Sequence, residues 1–268
     1  MKIVSIGAGS LAWCMSLEMQ RAGMTISQVY SRTRKHAELL AKKLNCRWTT
    51  NPVEIMDDAD LYIFSLKDSV LYDMIRRVKP NSGLWVHTSG IMPVDVFAGH
   101  VERYGVFYPF QTFTKGRRFR LDNTPVFLEA NSANDLKMLR KIAIALTGHA
   151  FELSSEKRRQ IHSAAIFASD FANYMYLTAS KLLEEHGLPY TLLLPLIGET
   201  AERLCNSTPL SVQADTVSRF ENCKPEDLPV MPDDPVVQNI YHFISHHIHE
   251  EKMKNEKNEK NEKEEKNE

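Results

Sequence analysis

In the first 153 residues, short apolar runs alternate with segments of helical periodicity. Apolar runs of this kind are typical of buried strands, and the amphipathic segments between them predict helices. Gly23 and Asn45 follow the first two helical segments, and both residue types accept the left-handed backbone that ends a helix. The predicted strands are Lys2–Ile6, Ser27–Tyr30, Leu61–Ser65, Leu84–His87, Tyr104–Tyr108, Pro125–Leu128 and Ala150–Leu153, with helices at Ser10–Ala22 and Arg34–Leu44.

This alternation predicts an α/β fold of the Rossmann type, doubly wound, with helices on both faces of a mostly parallel sheet. The pattern changes after residue 153, because residues 154–186 contain no Gly or Pro and therefore predict one long helix. A second helix is predicted at Pro189–Leu204, starting or bending at Pro195, and a third begins at Asp234-Pro235 and runs to about residue 249. The predicted domains are 1–153 (Rossmann), 154–250 (all-α) and 251–268 (tail).

The C-terminal tail differs in composition from the rest of the chain, because most of its residues are charged. Residues 251–268 contain 6 Lys and 7 Glu, and Met253 is their one large apolar residue. Such a segment cannot bury enough apolar surface to offset the loss of chain entropy on folding. We expect it to be disordered or a solvated helix, with a charged partner-binding arm as the functional alternative.

Charge and cysteine content exclude several classes of protein. Lys and Arg number 33 against 34 Asp and Glu, so the net charge of -1 gives no general attraction to nucleic acid or anionic membranes. No apolar stretch approaches the roughly 20 residues of a membrane span, and no signal peptide is indicated. The four cysteines are widely spaced, which fits a reducing compartment. We therefore expect a cytoplasmic protein with no nucleic-acid, membrane or metal partner.

The first predicted strand leads into the turn Gly7-Ala8-Gly9-Ser10-Leu11-Ala12, which has the Gly-x-Gly-x-x-Ala form of a dinucleotide-binding turn. The first glycine permits the tight turn, the second lets a pyrophosphate approach the backbone, and the small alanine lets helix and strand pack closely. Free amides and the helix dipole then attract the phosphates. The alternative is a glycine turn without a ligand. The predicted contacts are Gly7, Gly9, Ser10 and Leu11.

The end of the second strand indicates which dinucleotide binds. NAD sites usually place Asp or Glu here to bind the ribose hydroxyls, whereas this chain has Ser31-Arg32-Thr33-Arg34-Lys35. Ser31 can donate a hydrogen bond, and Arg32 can contact a 2′-phosphate or stack on adenine. Cations at a helix N-terminus are unfavourable unless an anion is bound there. This segment therefore favours NADP over NAD, and a solvated basic helix start is the alternative.

Three loops follow the carboxyl ends of predicted strands, where ligands bind in doubly wound sheets. They are Ser65-Leu66-Lys67-Asp68, His87-Thr88-Ser89-Gly90 and the segment Tyr108–Phe113, which includes Gln111. They offer an amine, an imidazole, hydroxyls and an amide around the expected nicotinamide position. Ordinary loop capping is the alternative for His87 and Gln111, and Lys67 can equally form an ion pair in solvent.

A polar stripe marks the predicted long helix. Its segment Ile161–Leu183 is apolar on nearly every side, which predicts a buried helix. At about 100° per residue, Ser169 and Asn173 fall close to the direction of His162, so these polar groups need hydrogen bonds or a wet cleft between the domains. His162 is then a candidate proton donor and Asn173 a candidate for orienting it. A satisfied buried network or a subunit interface is the alternative. His242 and His246 have zinc-ligand spacing but no evident third ligand.

Together these motifs resemble those of a known family. It comprises Rossmann-like NADP oxidoreductases with a C-terminal helical domain of unknown function, numbered 2520, distantly related to pyrroline-carboxylate reductase and deazaflavin-dependent NADP oxidoreductase. The resemblance extends over essentially residues 1–250. The matching stretches are Gly7–Ala12, Val29–Thr33, Ser65–Ser69, His87–Gly90, Tyr104–Phe113, His162–Ala165 and Leu194–Thr200.

The resemblance implies the two-domain fold, an NADP site and a homodimer formed through the helical domain, but no particular substrate. Two departures lie in the half of the chain expected to bind substrate. Where members carry Gln-Thr-Gly-Pro-Ala-x-Arg, residues 213–219 read Gln-Ala-Asp-Thr-Val-Ser-Arg, and Asp170 replaces the usual Asn. The further predicted cofactor contacts are Ser31, Arg32, Thr33, Ser65, Leu66, Lys67, His87, Thr88 and Ser89.

The sequence thus supports two functional hypotheses. The first is an NADP-dependent oxidoreductase that transfers a hydride between nicotinamide and a small carbonyl or imine compound in the interdomain cleft. In that reaction His162 would supply the proton, with Asn173 orienting it and Lys67 or His87 assisting. The second is a non-catalytic NADP-binding sensor or scaffold, which the missing Gly-Pro turn keeps open.

Overall fold

The computed structural model describes residues 1–114, 120–209, 211–212, 234–248 and 250. Its sheet has eight strands in the order β3-β2-β1-β4-β5-β6-β7-β8. All neighbouring strands are parallel except β6 and β7. The strands are β1 (Lys2–Ile6), β2 (Thr25–Tyr30), β3 (Arg47–Thr49), β4 (Leu61–Phe64), β5 (Leu84–His87), β6 (Tyr104–Pro109), β7 (Val126–Ala130) and β8 (Ala150–Glu152).

Helices cover both faces of this sheet, so two separate hydrophobic cores form. The alternation along β1 shows the division, because Ile3 packs into one core while Val4 and Ile6 pack into the other. A strand buried on both sides has no polar face, which explains why the predicted strands are continuous apolar runs. The helices are α1 (Ser10–Arg21), α2 (Arg34–Leu44), α3 (Asp68–Arg77), α4 (Ala133–Thr147), α5 (Ser155–Ala165), α6 (Ala172–Glu185) and α7 (Leu194–Asn206).

The predicted α/β Rossmann class is confirmed, and all seven predicted strands are present with boundaries within two residues at either end. The helix stops are also as predicted, since Gly23 (φ 81°) and Asn45 (φ 54°) both adopt the left-handed conformation. The sequence did not predict β3, because its three residues, Arg47–Thr49, are too few to show an alternation of apolar and polar positions.

The predicted long helix is not a single regular α-helix. A π-helical segment, Ile166–Phe171, separates α5 from α6. A short 3₁₀ turn at Tyr190–Leu193 precedes α7, and Pro195 lies in the first turn of α7, as predicted. Residues 235–248 are helical, and the Asp234 carboxylate accepts a hydrogen bond from the amide of Val236 at 2.8 Å.

The chain divides into two compact units, Met1–Ser169 and Asp170–Glu268. Helix α5 lies within the first of these units, and its side chains bond to the sheet and its loops. The domain boundary expected at residue 153 stays a prediction. The expectation that the long helix is buried is wrong for the single chain. No residue of the π-helical segment or of α6 is buried, and Phe167 is 70% exposed.

Among the described residues, no helix combines the length and the apolar character needed to cross a bilayer. The same part of the chain contains no group of three His, Cys, Asp or Glu side chains arranged as metal ligands. Cys14, Cys46 and Cys205 are free thiols, and Cys14 is buried.

Candidate functional site

The glycine turn lies between the ends of β1 and β4, where the strand order of the sheet reverses. Gly7 has a φ of 128°, and a Cβ atom at this position would collide with the carbonyl oxygen of Ser65. The Gly7 amide donates a hydrogen bond to the Tyr30 carbonyl at 2.9 Å, so the turn is attached to both neighbouring strands. Gly7 is therefore required by the fold itself.

Gly9 differs from Gly7 in that no described residue requires a glycine there. Its φ of -75° and ψ of -175° are accessible to any residue, and an added Cβ would meet no atom within 4 Å. Gly9 is also the N-cap of α1, and no side chain caps this helix end. The first amides of α1 therefore face open space, an arrangement suited to a phosphate that must approach the backbone closely.

The Ser65 hydroxyl lies beside this turn at the end of β4. Its oxygen is shielded from solvent and has no hydrogen-bond partner in the part of the chain that the structure describes. An unsatisfied buried hydroxyl costs about 1–3 kcal/mol. A bound ligand that hydrogen-bonds to it would recover that cost, so Ser65 fits a cofactor contact. The adjacent Leu66 side chain would lie 3.5 Å from a Cβ on Gly7, which places it against the turn as well.

At the end of β2, the cationic side chains differ in their surroundings. Arg34 forms an ion pair with Glu38 at 3.0 Å, and its guanidinium lies 5.4 Å from the centre of the Trp48 ring. Arg32 is exposed and forms no ion pair with any described residue. Burial raises the pKa of Tyr30, and the positive charge of Arg32 partly offsets that rise. Arg32 is thus the arginine that remains available to an anion.

The beginning of α2 adds to this positive surface. The Ser31 hydroxyl accepts a hydrogen bond from the Thr33 amide at 3.3 Å, and Thr33 is the N-cap of α2 without a side-chain cap. No acidic residue occupies the first turn of α2. The structure therefore places Ser31, Arg32 and Thr33 at an uncapped helix N-terminus, as a 2′-phosphate site needs.

His87 lies in the interior rather than on the site surface. Its side chain is fully buried, its Nδ1 accepts a hydrogen bond from the Ser89 amide at 3.1 Å, and its Nε2 lies 3.2 Å from the Pro93 carbonyl oxygen. Burial, together with the charge of Arg158, lowers the pKa of His87 to about 3. The imidazole is neutral and both of its nitrogens are engaged. These contacts are those of a loop-capping side chain, and the cofactor-binding and proton-assisting roles of His87 stay predictions.

The rest of this loop is internally bonded in the same way. The Ser89 hydroxyl accepts hydrogen bonds from the amides of Ile91 at 3.1 Å and Met92 at 3.0 Å, and the Thr88 hydroxyl lies 3.5 Å from the Phe64 carbonyl oxygen. The Gln111 side chain caps its own turn by accepting from the Thr112 amide at 2.9 Å. The loop chemistry therefore orders the backbone at the ends of β5 and β6.

Lys67 is the N-cap of α3, and its side chain is exposed and forms no ion pair with the described residues.

Asn173 is exposed and belongs to the second unit. The alignment of Asn173 with His162 assumed a regular α-helix, and the π-helical segment Ile166–Phe171 between them changes the angle. The Ser169 hydroxyl donates to the Ala165 carbonyl at 2.7 Å. The roles assigned to Lys67 and Asn173 stay predictions.

His162 projects from α5 toward the ends of β5 and β6. Its Nδ1 lies 2.8 Å from the Tyr108 hydroxyl oxygen, and the two rings meet at 65°. A Cβ atom on Gly90 would lie 2.5 Å from Nδ1, so the imidazole packs directly on the backbone of the loop after β5. His162 thus lies beside the end of β6 and the loop after β5, and its role as proton donor stays a prediction. The sequence did not single out its partner, Tyr108.

Arg158 was also missed, although it lies four residues before His162 and therefore on the same face of α5. It is fully buried. Its guanidinium forms an ion pair with Glu129 and donates hydrogen bonds to the Met92 carbonyl and the Ser155 hydroxyl. These bonds connect α5 to β7 and to the loop after β5. The sequence did contain a signal for Arg158, because a charged residue lies there one helical turn before a candidate catalytic histidine.

Two family models and several solved structures match this chain. Residues 2–86 match the family described as NADP oxidoreductase, coenzyme F420-dependent, and residues 124–248 match the domain of unknown function DUF2520. A Bacteroides fragilis protein named as an NADP oxidoreductase is 37% identical over 93% of this chain and 98% of its own, with a TM-score of 0.79. The chain belongs to this NADP oxidoreductase family. The family resemblance inferred from the motifs is therefore confirmed.

More distant structures share the fold of this family. The 1-pyrroline-5-carboxylate reductase of Streptococcus pyogenes is 14% identical over 93% of this chain and 94% of its own, with a TM-score of 0.59. An imine reductase from Myxococcus stipitatus, in complex with NADP⁺, is 16% identical over 82% and 78%, with a TM-score of 0.61. None of the curated proteins matches the chain. The departure from the family pattern at residues 213–219 lies outside the described residues.

Proposed function

We propose that this protein is an NADP-dependent oxidoreductase that transfers a hydride between nicotinamide and a small imine or carbonyl compound. The observation that carries the proposal is the contrast between the two glycines of the turn. Gly7 is required by the fold, whereas a Cβ on Gly9 would meet no atom of the described residues, and the first amides of α1 have no side-chain cap. The Ser65 hydroxyl beside the turn has no hydrogen-bond partner among the described residues, so it is a second group that a ligand would satisfy.

The cofactor would be held by the backbone at Gly9, Ser10 and Leu11, with its 2′-phosphate at Ser31, Arg32 and Thr33. NADP rather than NAD is favoured because no carboxylate stands at the end of β2 to repel the phosphate and Arg32 is free of ion pairs among the described residues. When bound, the nicotinamide supplies or accepts the hydride. His162, whose Nε2 is directed away from its bond to Tyr108, would exchange the accompanying proton with the substrate.

An imine substrate is supported by the named relatives. The Streptococcus pyogenes and Myxococcus stipitatus proteins are reductases of imines by name, and this chain has the same fold. Reduction of an imine carbon needs a hydride at carbon and a proton at nitrogen. The chain provides a candidate for each, the cofactor turn for the hydride source and His162 for the proton.

We also propose that the protein is a cytoplasmic homodimer assembled through its helical unit. Large apolar side chains are exposed there, including Leu196 at 64% and Phe243 at 65%. Burying such side chains is worth about 1.5–3 kcal/mol each. Its free thiols fit a reducing compartment. Light scattering should show twice the chain mass, and a stable monomer at micromolar concentration would contradict the dimer.

The decisive experiment measures NADPH binding by calorimetry and NADPH oxidation against a panel of cyclic imines and ketones. Gly9→Ala should weaken NADPH binding at least about tenfold, equivalent to about 1.4 kcal/mol. Its cost to folding should stay within about 1 kcal/mol, because the substitution meets open space. His162→Ala should abolish turnover while NADPH affinity is retained. Binding without turnover of any compound would instead support a sensor or scaffold.

A further inference from the structure

We propose that Tyr108 is a positioning residue of this site, which donates a hydrogen bond to Nδ1 of His162 and so keeps the imidazole proton on Nε2. This inference rests on the proposed function for its kinetic consequence, but the hydrogen bond itself is a property of the protein alone. The distance between the Tyr108 hydroxyl oxygen and Nδ1 is 2.8 Å. The two residues come from different elements, β6 and α5, so their meeting is a product of the tertiary fold.

The direction of the hydrogen bond follows from the available partners. Among the described residues, His162 Nδ1 is the hydrogen-bond partner of the Tyr108 hydroxyl. Burial raises the pKa of Tyr108, so the hydroxyl keeps its proton at neutral pH. If Nδ1 carried the imidazole proton, the hydroxyl proton would have no acceptor in the described protein. Donation from the hydroxyl to Nδ1 pairs both groups and leaves the imidazole proton on Nε2.

Both rings are fixed in place by their neighbours. The Tyr108 ring contacts Phe110 and Phe127, with centroids 6.1 and 6.2 Å away. The His162 ring rests on Gly90, where a side chain would displace it. Since neither ring can turn freely, the hydrogen bond is preorganised, and Nε2 is held in one direction.

Arg158 sets the rotation of the helix that carries His162. Its guanidinium bonds to Glu129 and to the Met92 carbonyl, and these contacts anchor α5 one turn before His162. The positive charge of Arg158 also acts on Tyr108, where it opposes the rise in pKa that burial causes. A buried cation near this hydroxyl would therefore favour its anionic form when the proton leaves.

The hydrogen bond defines a path for the proton that the substrate receives. With reduced nicotinamide as the hydride source, the Nε2–H bond would break and its proton would pass to the imine nitrogen or carbonyl oxygen. The Tyr108 hydroxyl proton passes to Nδ1, so the imidazole stays neutral and Tyr108 becomes a phenolate near Arg158. A hydronium ion from solvent would then protonate Nε2, and the Nδ1 proton would return to the Tyr108 phenolate. The substrate gains a hydride and a proton, and Tyr108 and His162 are regenerated.

The hydrogen bond can be tested without cofactor or substrate. We would record the ¹⁵N chemical shifts of the histidine side chains in the full chain, at a pH where the imidazoles are neutral, and assign His162 with His162→Gln. The wild type should show the Nε2–H tautomer, and Tyr108→Phe should lose that preference. The matched control is Tyr104→Phe, on the same strand, whose ring contacts Phe97 and not His162. A wild-type Nδ1–H tautomer, or a tautomer unchanged by Tyr108→Phe, would overturn the proposal.

The kinetic consequence is measured on a compound that the wild type reduces. Tyr108→Phe should lower kcat at least about tenfold and leave the KM for NADPH unchanged, while Tyr104→Phe keeps both. If the wild type turns over but Tyr108→Phe has a normal kcat, the role of Tyr108 is wrong and the proposed reaction stands. If the wild type reduces nothing, the proposed function fails, and the tautomer measurement still decides whether Tyr108 positions His162.

Discussion

The buried ion pair between Arg158 and Glu129 provides the sharpest prediction about stability. Arg158 is fully buried and the Glu129 side chain is 20% exposed, so Arg158→Met leaves a largely desolvated carboxylate without its counter-charge. Removing one partner of a buried pair typically costs about 3–5 kcal/mol of unfolding free energy. The substitution also removes hydrogen bonds to the Met92 carbonyl and the Ser155 hydroxyl. We therefore expect the loss to fall in that range.

Urea denaturation followed by tryptophan fluorescence measures this loss in the relevant unit. The chain has three tryptophans, at positions 13, 48 and 85, and all lie in the unit Met1–Ser169. With an m-value of about 2 kcal/mol/M, the midpoint should fall by about 1.5–2.5 M. The control is Arg159→Met, because Arg159 is adjacent and exposed, and its cost should stay within about 0.5 kcal/mol.

A double variant separates the ion pair from general packing. Replacing Glu129 with Gln in the Arg158→Met background removes the charge left unpaired, so the double variant should be more stable than Arg158→Met alone. The reasoning is refuted if Arg158→Met costs less than about 1 kcal/mol, or if the second substitution destabilises the protein further by its full single-variant cost.

Three further outcomes are expected. Gly7→Ala should destabilise the protein by at least about 2 kcal/mol in the same urea assay, because of its positive φ and the collision with β4, and stability equal to that of Gly9→Ala would contradict this. Arg32→Ala should weaken NADPH binding about 10- to 100-fold more than NADH binding. Because Arg34 is already paired with Glu38, Arg34→Ala should leave the ratio of NADPH to NADH affinity unchanged. Because the pKa of His87 is lowered to about 3 in the native state, the unfolded chain binds a proton first, and stability should fall as pH decreases from about 6.5 toward 3. His87→Gln should flatten that slope in urea titrations, and an unchanged slope would assign it to other groups.

Local patterns predicted the features of this protein that depend on neighbouring residues. Strand β1 and the turn at Gly7 follow from an apolar run and a glycine motif, and the stop at Asn45 follows from residue type. The three-residue strand β3 lacks any such signal because it forms by pairing with β2. The π-helical segment Ile166–Phe171 also escaped prediction, since its composition suits an α-helix equally well.

The candidate site divides in the same way. The cofactor turn is contiguous in sequence, so its residues could be named directly. The bond between Tyr108 and His162 joins residues 54 positions apart, and Arg158 lies 29 positions from Glu129. Nothing local specifies such pairs. His87 follows a strand, which suggested chemistry, and its side chain is fully buried and bonded within its own loop, so its predicted role stays a prediction.

The antiparallel step between β6 and β7 determines how His162 reaches the strand ends. Along these two strands, Glu129 lies opposite Val106, and Phe127 lies opposite Tyr108. Arg158 bonds to Glu129 and His162 bonds to Tyr108, so the two side chains of α5 attach to the sheet two residues apart along β6. Helix α5 therefore acts as a spacer of fixed length between two attachment points. A single residue inserted between them would rotate the imidazole by about 100° and move it about 1.5 Å along the axis. Natural variation in this family should accordingly avoid insertions and deletions within that turn of helix, even where the surface of α5 changes freely.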